Sequence, residues 1–296
     1  MPLTVPLARA VLPLREDQAR RYLRTTLVPG IGADGQARLL ASRVLVVGAG
    51  GLGSPVLLYL AAAGVGHITI ADTDVVDDTN LQRQIVHDHA SVGMSKTASA
   101  AARLRALNPD VEVREVGFLT EQSIDAEVAN HDLILECSDT FATKFLVADA
   151  CERAGKPLVW GTIVAMTFQV TVLWSAPPAG YPATRLRDLY PNEPPAGSTP
   201  SSAEVGVLGA ACGQAGSAMA AEAVKLLASF GQPLLGRLLI VDVAAGRWNT
   251  VEYVAAARER AAERREAEAI LTRDRPVIPD DDLPDPHDAT PKEGSR

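Results

Sequence analysis

A lysine at the first turn of a helix faces the wrong end of the helix dipole, which favours anions there. Such a lysine is Lys96 in Val92-Gly93-Met94-Ser95-Lys96, which opens a predicted helix over 94–107. A phosphate between the dipole and the ammonium would satisfy both. Arg83, thirteen residues upstream in the polar stretch 72–84, supplies a second cation. The pair could hold a triphosphate, with Asp139 at the tip of the apolar run 133–135 offering a hard oxygen ligand for Mg²⁺. Each has a plainer reading. Arg83 could be a solvated loop residue, Lys96 a helix-surface lysine, and Asp139 the cap of the helix that follows.

These residues need a frame, and the stretch 43–53 supplies it. Arg43-Val44-Leu45-Val46-Val47 reads as a fully buried parallel strand, stopped by Gly48-Ala49-Gly50-Gly51-Leu52-Gly53. Glycines at 48, 50, 51 and 53 permit a sharp turn and bring bare N–H groups to a phosphate at a helix N-terminus. Asp72 closes a second apolar run, 67–71, about twenty residues on, where a dinucleotide fold places its ribose-binding acid. Asp74 either meets Mg²⁺ indirectly or shapes the loop. This much leaves ATP and NAD equally open.

Further elements follow in order. Helices are predicted over 16–27 (ended by Pro29-Gly30), from an Asp34 cap to Leu40, and over 52–63, 121–129 and 141–154. Strands are predicted over 111–116, 133–135 and 157–160, so the β-α alternation predicts an α/β fold, a doubly wound Rossmann-like, mostly parallel sheet. Antiparallel strands over 168–174, 238–243 and 248–254 extend it. Between them, residues 175–204 hold seven of the twenty prolines and predict a long crossover loop, followed by a helix over 205–230. Residues 1–14 read as an arm, 15–254 as one domain, and 255–296 as a charged helix with a Pro/Asp-rich tail that cannot build a core.

Composition narrows the function classes. A net charge of −8 and the lack of a basic cluster with interleaved aromatics argue against nucleic-acid binding. Before Val44, however, seven arginines face three acids. The uncharged stretch 205–221 is rich in Gly, Ala and Ser, so it reads as a buried helix and no membrane association is expected. Cys137, Cys151 and Cys212 form no Cys-x-x-Cys pair, which predicts neither disulfides nor zinc and fits a cytoplasmic setting. Cys212 is expected in the core, Cys137 to pack near the nucleotide. His67, His87, His89 and His131 lie in no metal-like spacing and are expected to be solvated or locally bonded.

Gly48-x-Gly50-Gly51-x-Gly53, Asp72-x-Asp74, Asn80-Leu81-Gln82-Arg83-Gln84, Val92-Gly93-x-x-Lys96 and Cys137-Ser138-Asp139 occur in one order with matching spacings. Together they resemble the MoeB/ThiF family of adenylyltransferases, relatives of ubiquitin-activating enzymes, from about Arg21 to Val254. Arg187-Asp188-Leu189-Tyr190-Pro191 resembles its zinc-free, MoeZ-like subgroup. The resemblance implies transfer of AMP from ATP to the C-terminal Gly-Gly carboxylate of a ubiquitin-like sulfur carrier protein. It implies that Gly48, Gly50, Gly51 and Gly53, Asp72 and Asp74, the segment Thr79, Asn80, Leu81, Gln82, Arg83 and Gln84, and Lys96, Asp139 and Thr140 surround ATP. Arg83, Lys96 and Asp139 would be catalytic, the last through Mg²⁺, and Arg24 would reach ATP from the partner subunit of a homodimer. Arg24 as a plain surface arginine is the rival reading.

Three departures qualify the resemblance. The cysteine pairs that bind zinc in many members are missing, so no zinc is expected. Ser202 stands where the MoeZ-like loop carries a cysteine, and a hydroxyl cannot relay sulfur. Residues 255–296 are too few for a rhodanese domain, so a separate sulfur donor is expected. Adenylation of a peptide or small carboxylic acid, or a catalytically silent binding protein, are the alternative readings. A NAD dehydrogenase explains nothing of 80–96.

Overall fold

The run Arg43–Val47 is β1, hydrogen-bonded in parallel on both sides, to β2 (His67–Ala71) and β4 (Leu133–Glu136). Its four apolar residues are buried because both sheet faces are covered. In the computed structural model, which describes residue 7 and residues 12–195, 197, 198, 200 and 202–254, the sheet has eight strands in the order β3-β2-β1-β4-β5-β6-β7-β8. β3 (Glu112–Val116) and β5 (Leu158–Val164) complete the parallel half. β6 (Thr167–Leu173), β7 (Arg237–Asp242) and β8 (Arg247–Glu252) add antiparallel neighbours. The order reverses between β1 and β4, and ligands of such sheets sit at that switch point beyond the strand C-termini.

Register keeps the two faces apart. Val44, Ile68 and Leu133 share one level, and with Val46, Ile70 and Leu135 they pack under α3 (Gly32–Ala41), α4 (Gly53–Ala63), α5 (Lys96–Leu107) and α10 (Gly209–Ala228). Leu45, Val47, Ile134, Leu158 and Trp160 face α6 (Ile124–Ala129), α7 (Phe141–Ala154) and α8 (Leu186–Leu189). The remaining short helices are α1 (Glu16–Arg21), α2 (Leu23–Thr26) and α9 (Ser202–Val205).

Local chemistry explains where predicted bounds moved. The helix expected over 16–27 is broken at Tyr22, whose hydroxyl donates to Asp110 and accepts from Asn108 Nδ2. Asp34 is not the cap of α3, which Ile31 precedes; it lies in the first turn, where the dipole favours it. α10 starts at 209 instead of 205 because Gly206, at φ +73°, turns the chain away from a helical path. β5 runs on to Val164 in a hairpin with β6. The crossover is not wholly irregular: Trp174 and Thr184 exchange hydrogen bonds, Tyr190 stacks against Phe141 and Trp160, and the Leu208 N–H meets the Ala165 carbonyl at 3.2 Å. The arm over 1–14 lies largely, and the charged helix and tail over 255–296 wholly, outside the described residues. Among the described residues no helix is long and apolar enough to cross a membrane.

The expected local bonding of the histidines holds for His131. Its Nδ1–H donates to the Glu127 carbonyl at 2.5 Å, and its Nε2 accepts from Thr69 Oγ1 at 2.8 Å. Burial holds this imidazole below the ordinary histidine pKa. The unfolded chain therefore takes up the proton first as pH falls through about 6.5, and the stabilisation present above that value is lost on further acidification. The stability advantage of the wild type over His131→Gln, read as a urea midpoint difference, should be largest above pH 7 and shrink steadily towards pH 5. A gap that does not change with pH would contradict a buried neutral ring.

Candidate active site

At the C-terminal ends of β1, β2, β4 and β5 lies a cavity of about 360 Å³. Its floor is the glycine turn between β1 and α4. Gly48 has φ +97°, and a Cβ on Gly53 would stand 1.9 Å from the Gly48 carbonyl oxygen. The turn thus closes on itself only with glycine at both places. Gly48, Gly50 and Gly51 line the cavity, whereas Gly53 supports them from beneath. A Cβ on Gly51 would meet Cys212 Sγ at 2.9 Å, so this core cysteine of α10 is also part of the wall. Cys137 lines it as well, and burial raises both thiols above their ordinary pKa.

Asp72 follows β2 and points back at the turn. Its Oδ2 accepts from the Ala49 N–H at 2.7 Å and its Oδ1 from the Asp74 N–H at 2.8 Å. Asp74 in turn meets the Lys96 ammonium at 2.7 Å. Ser95, not the predicted Met94, starts α5: its Oγ accepts from the Ala98 N–H, and Lys96 becomes the first helical residue. The Lys96 side chain is only 7% exposed, so a cation is held at the helix N-terminus inside the cavity wall. It is not a surface lysine.

Arg83 also lines the cavity, beside Gly51. The stretch Thr79-Asn80-Leu81-Gln82 does not line the cavity; it builds the bracket that carries Arg83. Asp77 caps a short turn over 78–80, the Arg83 N–H donates to Asn80, and Arg83 Nη1 donates to the Thr79 carbonyl at 3.2 Å. Gln84 lies buried beside Gly50 and lines the cavity. Thr140 caps α7 by accepting from the Thr143 N–H, which leaves Asp139 uncommitted as a cap. Asp139 is exposed in the wall, and among the described residues its carboxylate has neither an ion pair nor a hydrogen-bond donor. Arg24 is exposed on α2 and does not line this cavity.

One feature was not legible in the sequence. Behind Asp139, Glu136 and Lys144 form a buried ion pair, 2.5 Å apart and 0% and 2% exposed. The ammonium also donates to the carbonyls of Ser138 and Gly161, both at 2.8 Å, which uses all three of its N–H groups. Ser138 donates to the other Glu136 oxygen through its N–H and its hydroxyl. The turn 136–139 is therefore tied to α7 and β5. Burial raises the Glu136 carboxyl above its usual range, against the pull of Lys144. The two charges stand eight residues apart on different elements, and only the fold pairs them.

The arrangement offers free backbone N–H groups, two cations and one unpaired carboxylate around one pocket, which suits a polyphosphate. The profile described as the ThiF family matches residues 22–262. The chain is 48% identical over 248 residues to a probable adenylyltransferase/sulfurtransferase MoeZ of Mycobacterium tuberculosis; these cover 83% of the chain but 63% of that relative. It is 44% identical over 243 residues to the SAMP-activating enzyme E1 of Haloferax volcanii, covering 82% and 88%. To the sulfur carrier protein adenylyltransferase of Thermus thermophilus it is 43% identical over 229 residues, covering 77% and 84%. Among solved structures, E. coli MccB with ATP superposes with a TM-score of 0.67 at 20% identity, over 79% and 71% of the two chains. PaaA gives 0.68 at 18% identity, over 83% and 76%. The last two establish likeness of fold.

Proposed function

Since the chain belongs to the ThiF family, we propose that it is an ATP-dependent adenylyltransferase acting on the C-terminal Gly-Gly carboxylate of a ubiquitin-like sulfur carrier protein. The observation that carries this reading is the placing of Arg83, Lys96 and Asp139 around the glycine turn, in one cavity, with Asp72 beside them. The names of the haloarchaeal and Thermus relatives support the substrate class.

In this reading the Gly50 and Gly51 N–H groups receive phosphate oxygens and Asp72 takes the ribose hydroxyls. A carboxylate oxygen of the carrier attacks the α-phosphorus, the bond to the β-phosphate oxygen breaks, and pyrophosphate leaves. Arg83 and Lys96 hold the growing negative charge, which is where such a reaction gains most. The residues present fit Mg²⁺: one unpaired, exposed carboxylate, Asp139, beside the phosphate site is how this ion is commonly held, with water and phosphate oxygens completing its shell. Bound there, it would neutralise phosphate charge. Zinc has no part in this reading.

Arg24 lies outside its own cavity on a short helix whose neighbours Leu23, Leu27 and Val28 are exposed. This suits a homodimer in which Arg24 serves the partner's ATP. With serine at 202 no loop thiolate takes the acyl group; a sulfur nucleophile from a separate donor attacks the acyl carbon, the bond to the phosphate oxygen breaks and AMP leaves. Three unpaired buried thiols suit the cytoplasm. ATP–pyrophosphate exchange should appear only when a Gly-Gly-ended carrier is added. Exchange driven by small acids alone would replace the carrier in this scheme, and no exchange with any carboxylate would end it.

A further inference from the structure

The mechanism above uses the N–H groups of the glycine turn and leaves open what aims them. A trans peptide is planar, so its C=O and N–H point in opposite directions. The Gly50 N–H is therefore aimed by the Ala49 carbonyl, and the Gly51 N–H by the Gly50 carbonyl. The Gly50 carbonyl accepts from the Ser54 N–H at 2.9 Å, as the start of α4 requires. The Ala49 carbonyl has no helical partner and is met by His87 Nε2 at 3.0 Å. A carbonyl only accepts, so Nε2 carries the hydrogen, and the neutral ring's Nδ1 accepts from Ser99 Oγ at 2.9 Å. His87 is 7% exposed.

We propose that His87, oriented by Ser99 of α5, is the positioning residue of the nucleotide site: it holds the Ala49–Gly50 peptide so that the Gly50 N–H faces the phosphate. The proposal rests on the nucleotide reading given above. Three parts of the site meet at this ring. The residue before Gly50 is held by Asp72 through its N–H and by His87 through its carbonyl, and α5 carries both Ser99 and Lys96. The cation and the N–H donors are thereby set relative to one another. The charged groups facing the ring are Lys96 from α5, Asp72 from the end of β2 and Asp88 from its own loop. Burial, with a contribution from Lys96, keeps the ring neutral, in the form that has one donor and one acceptor.

The test compares ATP binding by calorimetry at pH 7.5 for the full-length wild type, His87→Ala, His87→Gln and Ser99→Ala, with the imidazole tautomer of the wild type read by ¹H–¹⁵N spectroscopy. Loss of a hydrogen bond to a buried group leads us to expect about tenfold weaker ATP binding in His87→Ala. Gln offers a donor and an acceptor of its own, so His87→Gln should regain most of the affinity; Ser99→Ala should fall between. The free protein should show the Nε2–H tautomer. Binding within twofold of wild type in His87→Ala, or an Nδ1–H tautomer, would overturn the proposal. If His87→Ala does not fold, Ser99→Ala and the tautomer decide it. A wild type that binds no ATP would overturn the nucleotide reading and with it the role assigned here, whereas wild-type binding unaltered by the substitutions would overturn this role alone.

Discussion

Lys144→Ala should cost about 3–5 kcal/mol of stability, the largest loss expected from any single change near the site, because it strands the buried Glu136 carboxylate without a counter-charge. The sign with pH follows from the same pair. Without the ammonium, Glu136 is pushed further up from the ordinary carboxylate range, so the folded variant binds a proton that the unfolded chain releases above about pH 4.3. The deficit relative to wild type should therefore grow from pH 5 to pH 7.5. Urea midpoints at the two pH values measure it, and a deficit below 1 kcal/mol at pH 7.5 would refute the pairing. Lys144→Met combined with Glu136→Gln removes both charges while keeping much of the volume. It should recover most of the loss, since a buried pair often contributes little beyond its hydrophobic replacement.

Lys96→Ala should lower carrier-dependent ATP–pyrophosphate exchange about a thousandfold, roughly 4 kcal/mol of transition-state stabilisation. In the proposed reading the ammonium, already desolvated and fixed by Asp74, would meet phosphate charge without reorganising, as an exposed lysine would not. Alanine would also leave Asp74 in the cavity wall without its counter-charge. Lys96→Arg should not restore the rate, because a guanidinium cannot occupy the space of a buried ammonium with the same contacts. Arg83→Ala should lower exchange by a similar factor. Melting temperatures should stay within a few degrees of wild type in both, which separates lost chemistry from lost fold. Exchange within tenfold of wild type in Lys96→Ala would be incompatible with the role given to it.

Local patterns made most of the frame legible. β1 and β2 kept their predicted bounds because a buried parallel strand is a short β-branched run stopped by glycine or aspartate. The end of α4 at Gly64 was legible for a similar reason: the residue takes the left-handed C-cap conformation. The spacing of Gly48, Asp72, Arg83, Lys96 and Asp139 predicted one site, and all five line one cavity. What escaped the sequence depends on distance along the chain. Glu136 with Lys144, and His87 with Ala49 and Ser99, are partners only after the sheet has formed, and no periodicity announces them. The segment Thr79–Gln82 was expected around the nucleotide and forms instead the bracket that carries Arg83, because a motif does not record which of its residues line a cavity.

The crossover segment is held at two points: Tyr190 is wedged between Phe141 and Trp160, and Leu208 is bonded to the turn at Ala165. Beyond the second point the chain runs straight into α10, which brings Cys212 against the glycine turn. Chain between two such points can change length at little entropic cost, since loop closure depends only weakly on the number of residues. Insertions between Tyr190 and Leu208 should thus leave the glycine turn and α10 in place. In the proposed reading, a protein built this way could change its acyl partner without remaking the frame that would hold ATP.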